Sequence, residues 1–106
     1  MLRFSEKIYT YGIEDPKAEI GLLSAGKYSA HIYIVCLEEK TGFVSLINTV
    51  FLRMNRNADM DYTVIGLASG YHFGLKLIRR MTADCLAATG SASVKEHIPE
   101  LCGGVR

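Results

Sequence analysis

The chain has no tryptophan, two prolines and three cysteines, and each scarcity excludes something. Cys36, Cys85 and Cys102 are odd in number and unrelated in spacing, so neither a disulfide framework nor a paired-cysteine redox or zinc motif is encoded. Free thiols in a reducing compartment account for them, and the cytoplasm is the expected address. An excess of one charge is also missing, since 12 Lys and Arg oppose 11 Asp and Glu for a net +1. That balance supplies no bulk drive toward nucleic acid or an anionic membrane, and neither is expected as a partner. The longest uncharged stretch, Tyr62 to Leu75, is 14 residues interrupted by Gly66, Gly70 and Gly74, too short to cross a bilayer. The first residues, Met-Leu-Arg-Phe-Ser-Glu-Lys, carry charge at once and lack the apolar stretch of a secretory signal.

What is present is ordinary for a globular protein. The 106 residues are 49% apolar and 22% charged, enough for one core and too apolar for extensive disorder. Asp61 to Gly90 is the most legible unit. Tyr62-Thr-Val-Ile-Gly-Leu-Ala68 is a β-branched apolar run that reads as a strand, and Ser69-Gly70 breaks it. From Tyr71 the period changes from 2 to 3.6, placing Phe73, Leu77, Ile78, Met81 and Cys85 on one helical stripe. Gly90, just past the last apolar turn, suits the left-handed residue that closes a helix.

The rest of the chain gives weaker signals. A first strand is expected over about residues 3–11. Asp15-Pro16 pairs a good N-cap with a proline at the first helical position, predicting a short helix over 16–24. The competing reading makes Glu19 to Leu23 a strand that turns back at Ser24-Ala-Gly-Lys27. Tyr28 to Leu37 alternates with apolar residues on both faces, as an interior strand does. The loop Glu38-Glu-Lys-Thr-Gly42 then predicts a hairpin into a long strand from Phe43 to Met54. Asn48 shares a face with Val44, Leu46, Val50 and Leu52, so it is hydrogen-bonded inside or that face is partly wet. Ser93-Val-Lys-Glu96 has capping-box spacing, predicting a brief helix bent or ended near Pro99. Cys102 to Arg106 reads as a flexible tail with Cys102 exposed. The expectation is one α+β domain over residues 1–101. It is a two-layer sandwich in β-α-β-β-β-α order, with a mostly antiparallel sheet of about four strands and helices on one face.

No motif announces a reaction. Gly66, Ser69, Gly70, Tyr71 and His72 form a strand-turn-helix junction where amides and the helix dipole favour an anion. It matches neither common phosphate-binding fingerprint, and glycines also serve simply to turn the chain. His31, His72 and His97 lack ligand spacing, so no metal or other cofactor is expected. Cys36 and Cys85 read as core residues, and no Cys-His or serine-based catalytic pattern exists. Lys76, Arg79 and Arg80, with Arg53 and Arg56, read as solvated surface rather than a phosphate track. The one oddity is six tyrosines (Tyr9, Tyr11, Tyr28, Tyr33, Tyr62, Tyr71), several on strands. With apolar residues on both faces of the second and third strands, a two-layer sandwich leaves one face to be covered by a second copy or another protein. The favoured expectation is a non-enzymatic interaction or self-assembly module meeting its partner near His31, Tyr33 and Val35. The alternative is a small-anion or nucleotide-binding protein, or an enzyme acting on such a ligand, using the strand-turn-helix at residues 66–72.

Overall fold

The computed structural model describes residues 2–53 and 61–103. It is a four-stranded mixed sheet with three helices, an α+β domain, in the spatial order β1-β4-β2-β3. The strands are β1 (Leu2–Tyr11), β2 (Ile32–Glu38), β3 (Val44–Asn48) and β4 (Tyr62–Ser69). The helices are α1 (Pro16–Ser24), α2 (Tyr71–Thr89) and α3 (Ile98–Cys102). The β2–β3 and β2–β4 pairs are antiparallel, whereas β1 lies parallel to β4 at one edge. The strand–turn–helix unit therefore supplies the centre of the sheet. Every residue from Tyr62 to Ala68 is buried, as a strand covered on both faces requires.

Glycine lets α2 lie close on that strand. Between β2 and β4 the register slips after Val35, so Ile65 has no partner on β2 and both Ile65 and Gly66 address α2. Two consecutive side chains on one face would collide with the helix. A Cβ on Gly66 would stand 2.8 Å from Leu77 Cδ2 and 3.2 Å from Val35 Cβ. From the helix side, a Cβ on Gly74 would stand 2.6 Å from Leu46 Cδ1. The resulting core joins Val35, Ile65, Ala68, Leu77, Met81, Ile98 and Cys102; of the expected α2 stripe it holds Leu77 and Met81, with Phe73 and Ile78 packed against it, and Cys85 is buried as well.

Several expectations are met locally. Asp15 caps α1 by accepting the Ala18 amide at 3.2 Å, with Pro16 in the first turn. Gly90 closes α2 at φ 77°, its amide donating to Leu86 O. Gly42, at φ 73°, turns the β2–β3 hairpin, its amide donating to Glu38 O at 2.8 Å.

Five expectations need correction. The helices do not all lie on one face. Leu23 and Ile20 of α1 pack with Phe4, Ile34, Cys36, Val64 and Leu67 on the face opposite α2, because the apolar pattern of α1 must bury somewhere and α2 occupies the other face. The strand expected from Phe43 to Met54 stops at Asn48, and Thr49–Arg53 is a 3₁₀ turn; Met54 itself lies outside the described residues. Asn48 ends the strand by turning its side chain on the backbone. Its Oδ1 accepts the Val50 amide and its Nδ2 donates to Ala30 O. Thr49, wholly buried, donates to Ser29 O at 2.7 Å and accepts the Ser29 amide at 3.1 Å, pulling the chain out of the sheet. That clamp also holds residues 28–31 out of β2, which begins at Ile32. Ser93 makes no side-chain cap; Val94–Glu96 is a 3₁₀ turn, and Pro99 sits at the start of α3 rather than ending a helix. Finally, Cys102 is wholly buried at the end of α3, packed into the core of the α2 face.

Candidate functional site

α2 has two flanks of opposite character, and they define the surfaces most able to act. At 3.6 residues per turn, Tyr71, Leu75, Ile78, Thr82 and Leu86 fall within an arc of about 80°. That flank faces β3, since Gly74 meets Leu46 while Ile78 and Thr82 share a groove with Phe43 and Val44. The groove, of ≈ 350 Å³, is floored by buried Val35 and Met81 and rimmed by Ser93, Val94 and Lys95. Lys95 Nζ stands 5.7 Å from the Phe43 ring centroid. Phe43 on its rim, and Tyr71, Leu75 and Leu86 along the same flank of α2, remain 58%, 56%, 44% and 54% exposed.

Alongside this flank runs an open sheet edge. β3 has a strand neighbour on one side only among the described residues. Its sequence, Val-Ser-Leu-Ile-Asn, contains no charge and no proline, and its pairing with β2 shows no bulge. Those are the devices that ordinarily keep an edge from pairing with another chain.

The other flank of α2 faces β1 and is polar. Lys76 Nζ stands 5.8 Å from the Tyr11 ring centroid and the Arg80 guanidinium 6.0 Å from that of Tyr9. The Tyr9 hydroxyl donates to Asp84 Oδ2 at 2.8 Å. Burial, the hydrogen bond to Asp84 and the negative charge of Asp84 together push the Tyr9 phenol up to about 12.

The expected sheet-face patch of His31, Tyr33 and Val35 does not form. Val35 is wholly buried beneath α2, and His31 is exposed outside β2. Tyr33 is half-buried with its ring edge-on to Tyr71 at 5.8 Å. β4 separates Tyr33 on β2 from Tyr9 and Tyr11 on β1. The face thought to need a partner is occupied instead by α1, Tyr28 and Leu52.

At the 66–72 junction, Gly66 is buried in the contact with α2. Gly70 caps the helix backbone at φ 107°, with no side-chain cap and no acidic residue in the first turn. Ser69 opens onto a cleft rimmed by Glu14, Asp15 and Glu19, whose carboxylates oppose an anion there. Tyr71 and His72 are exposed, and Tyr71 belongs to the apolar flank.

Cys36 and Cys102 are buried thiols whose pKa values are raised chiefly by burial, that of Cys36 to about 12. Cys85 is buried as well, and all three are unpaired. Among the described residues no group of His, Cys, Asp or Glu is placed to hold a metal ion. No helix among them is long and apolar enough to cross a membrane. Of the basic cluster, Arg79 is exposed beside Lys76 and Arg80. Arg56 and the side chain of Arg53 lie outside the described residues.

Sequence reasoning missed the β3 edge and the flank beside it. The signal for the flank was present, because Tyr71, Leu75, Ile78, Thr82 and Leu86 form a second stripe next to the core stripe. Comparison of the chain with protein-family models, with curated proteins and with solved structures finds no match.

Proposed function

We propose that this protein is a non-enzymatic interaction module that joins a second copy of itself, or another protein, through the β3 edge and the adjoining flank of α2. One observation carries the reading: an edge strand without charge, proline or bulge lies beside a row of exposed apolar side chains. Backbone groups on such an edge favour strand addition, and the apolar row supplies the area that makes it stable. Taking about 200 Å² for each fully exposed large side chain, Phe43, Tyr71, Leu75 and Leu86 leave about 400 Å² open to water. That is roughly half of what each partner buries in a stable interface of about 1,600 Å². The strand itself and the groove beneath Phe43 would supply the remainder. Among the residues lining the groove beneath Phe43, Lys95 alone is charged. We place the module in the reducing cytoplasm, a reading supported by three buried cysteines with no disulfide.

Hydrogen exchange at two protein concentrations tests the proposal. Amides of Val44 to Asn48 and of the α2 flank are expected to gain protection as concentration rises. Exchange independent of concentration, and of any added partner, removes the basis for the module.

A further inference from the structure

We propose that the cleft between β1 and the polar flank of α2 binds the phosphoryl group of a small phosphomonoester. The cleft, of ≈ 370 Å³, is lined by Lys7, Ile8, Tyr9, Thr10, Arg80, Asp84 and Leu101. It lies on the opposite flank of α2 from the β3 edge and does not depend on the interaction surface.

The first support is a built backbone feature. Along β1 the register with β4 jumps from Phe4↔Val64 to Tyr9↔Gly66, so four residues of β1 span the place of Ile65 alone. Such bulges re-aim side chains, and they gather beside binding sites. This one is anchored by Ser5, wholly buried, whose hydroxyl is directed at Lys7 O at 2.6 Å and Val64 O at 3.2 Å. Lys7 is thereby presented to the cleft from a fixed main chain.

Charge supplies the second support. Among the described residues Arg3 pairs with Glu39, whereas neither Lys7 nor Arg80 has an ion pair. The carboxylate in the cleft, Asp84, accepts from the Tyr9 hydroxyl instead of pairing with Arg80 one turn earlier. Arg80 rests over the Tyr9 ring, which restricts its fork while leaving its donors open. The cleft thus offers an ammonium and a guanidinium to one ligand. Donors from β1 and α2 converging in this way suit an oxyanion with several acceptor oxygens. The cleft is larger than phosphate alone requires, and Leu101 gives an apolar wall for the organic part of an ester.

The test is a ¹⁵N–¹H NMR titration at constant ionic strength with inorganic phosphate and, separately, phenyl phosphate. Saturable shifts are expected at residues 7–10 and 80–84, with phenyl phosphate the tighter ligand. Arg80→Gln and Lys7→Gln, both at sites open to solvent, are each expected to weaken binding about tenfold or more. Lys76→Gln, over Tyr11 and outside the cleft, is expected to leave binding unchanged. The proposal is overturned by an absence of saturation with both ligands up to about 20 mM, a range that covers weak millimolar binding. It is equally overturned by shifts that survive Arg80→Gln, or by shifts centred on Tyr71 to Phe73 at the start of α2. Binding of phosphate as tight as phenyl phosphate would assign free phosphate as the ligand and remove the ester.

Discussion

Replacing Gly66 with alanine probes the close approach of α2 to β4. The new methyl would stand 2.8 Å from Leu77 Cδ2 and 3.2 to 3.3 Å from Val35 Cβ and Cγ2. Both neighbours are wholly buried, so neither can move toward solvent, and α2 must rise from β4 or Leu77 must leave its rotamer. Overpacking of this kind costs about 1–3 kcal/mol. Gly66 is not at positive φ, so alanine returns about 0.4–1 kcal/mol by stiffening the unfolded chain. The net expectation is a loss of about 1–2 kcal/mol. With a denaturant slope of about 1.5 kcal/mol per molar, the urea midpoint falls by about 1 M while the slope holds. Gly74→Ala is the internal control. Its methyl meets the end of Leu46, a half-buried side chain on the edge strand that can swing away. Alanine also gains about 1 kcal/mol in helix propensity there, so the variant should stay within about 0.5 kcal/mol of the parent. Urea melts followed by far-ultraviolet circular dichroism measure both. A Gly66→Ala protein as stable as the parent would refute the account of how α2 lies on β4.

Other expectations follow from single side chains. Met81→Asp puts a carboxylate where Met81 is 1% exposed, and the variant should fail to fold; native-like NMR dispersion would contradict the helix orientation. Tyr9 is neutral in the folded state up to about 12 against about 10 in an unfolded chain, so its contribution to stability is intact below pH 10 and is lost as pH rises toward 12. An ultraviolet titration of Asp84→Ala should show that phenol ionising at lower pH, with burial alone still holding it up, and curves superimposing on the parent would exclude the Asp84 contribution. All three thiols should resist a thiol reagent in native buffer and react together in denaturant; fast native labelling of Cys102 would show that it is not packed under the α2 face.

What the sequence made legible was whatever depends on neighbours in the chain. The strand from Tyr62, the turn at Gly70 and the helix to Gly90 each follow from local periodicity and backbone preference. The caps at Asp15 and Gly90 do as well. The end of β3 was not legible, because Thr49 is held by Ser29, 20 residues away, and alternation continues past the point where the strand stops. Nor was the bulge of β1, which depends on a register with a strand some 60 residues later. Apolar residues on both faces of β2 correctly required cover on both. Pattern alone does not distinguish cover by a nine-residue helix of the same chain from cover by a partner. The edge position of β3 became visible only once it was placed last among the described strands of the sheet.

Light scattering behind a sizing column tests the central claim most directly, with the parent and Leu75→Glu run at two concentrations. Leu75 is 44% exposed on the α2 flank, so the substitution leaves the fold intact while placing charge in the contact. The parent's mass is expected to rise toward twice the chain with concentration, and the variant's to stay at one chain. A parent of single-chain mass at both concentrations would contradict self-association through β3, and a dimer unaffected by Leu75→Glu would contradict the surface assigned to it.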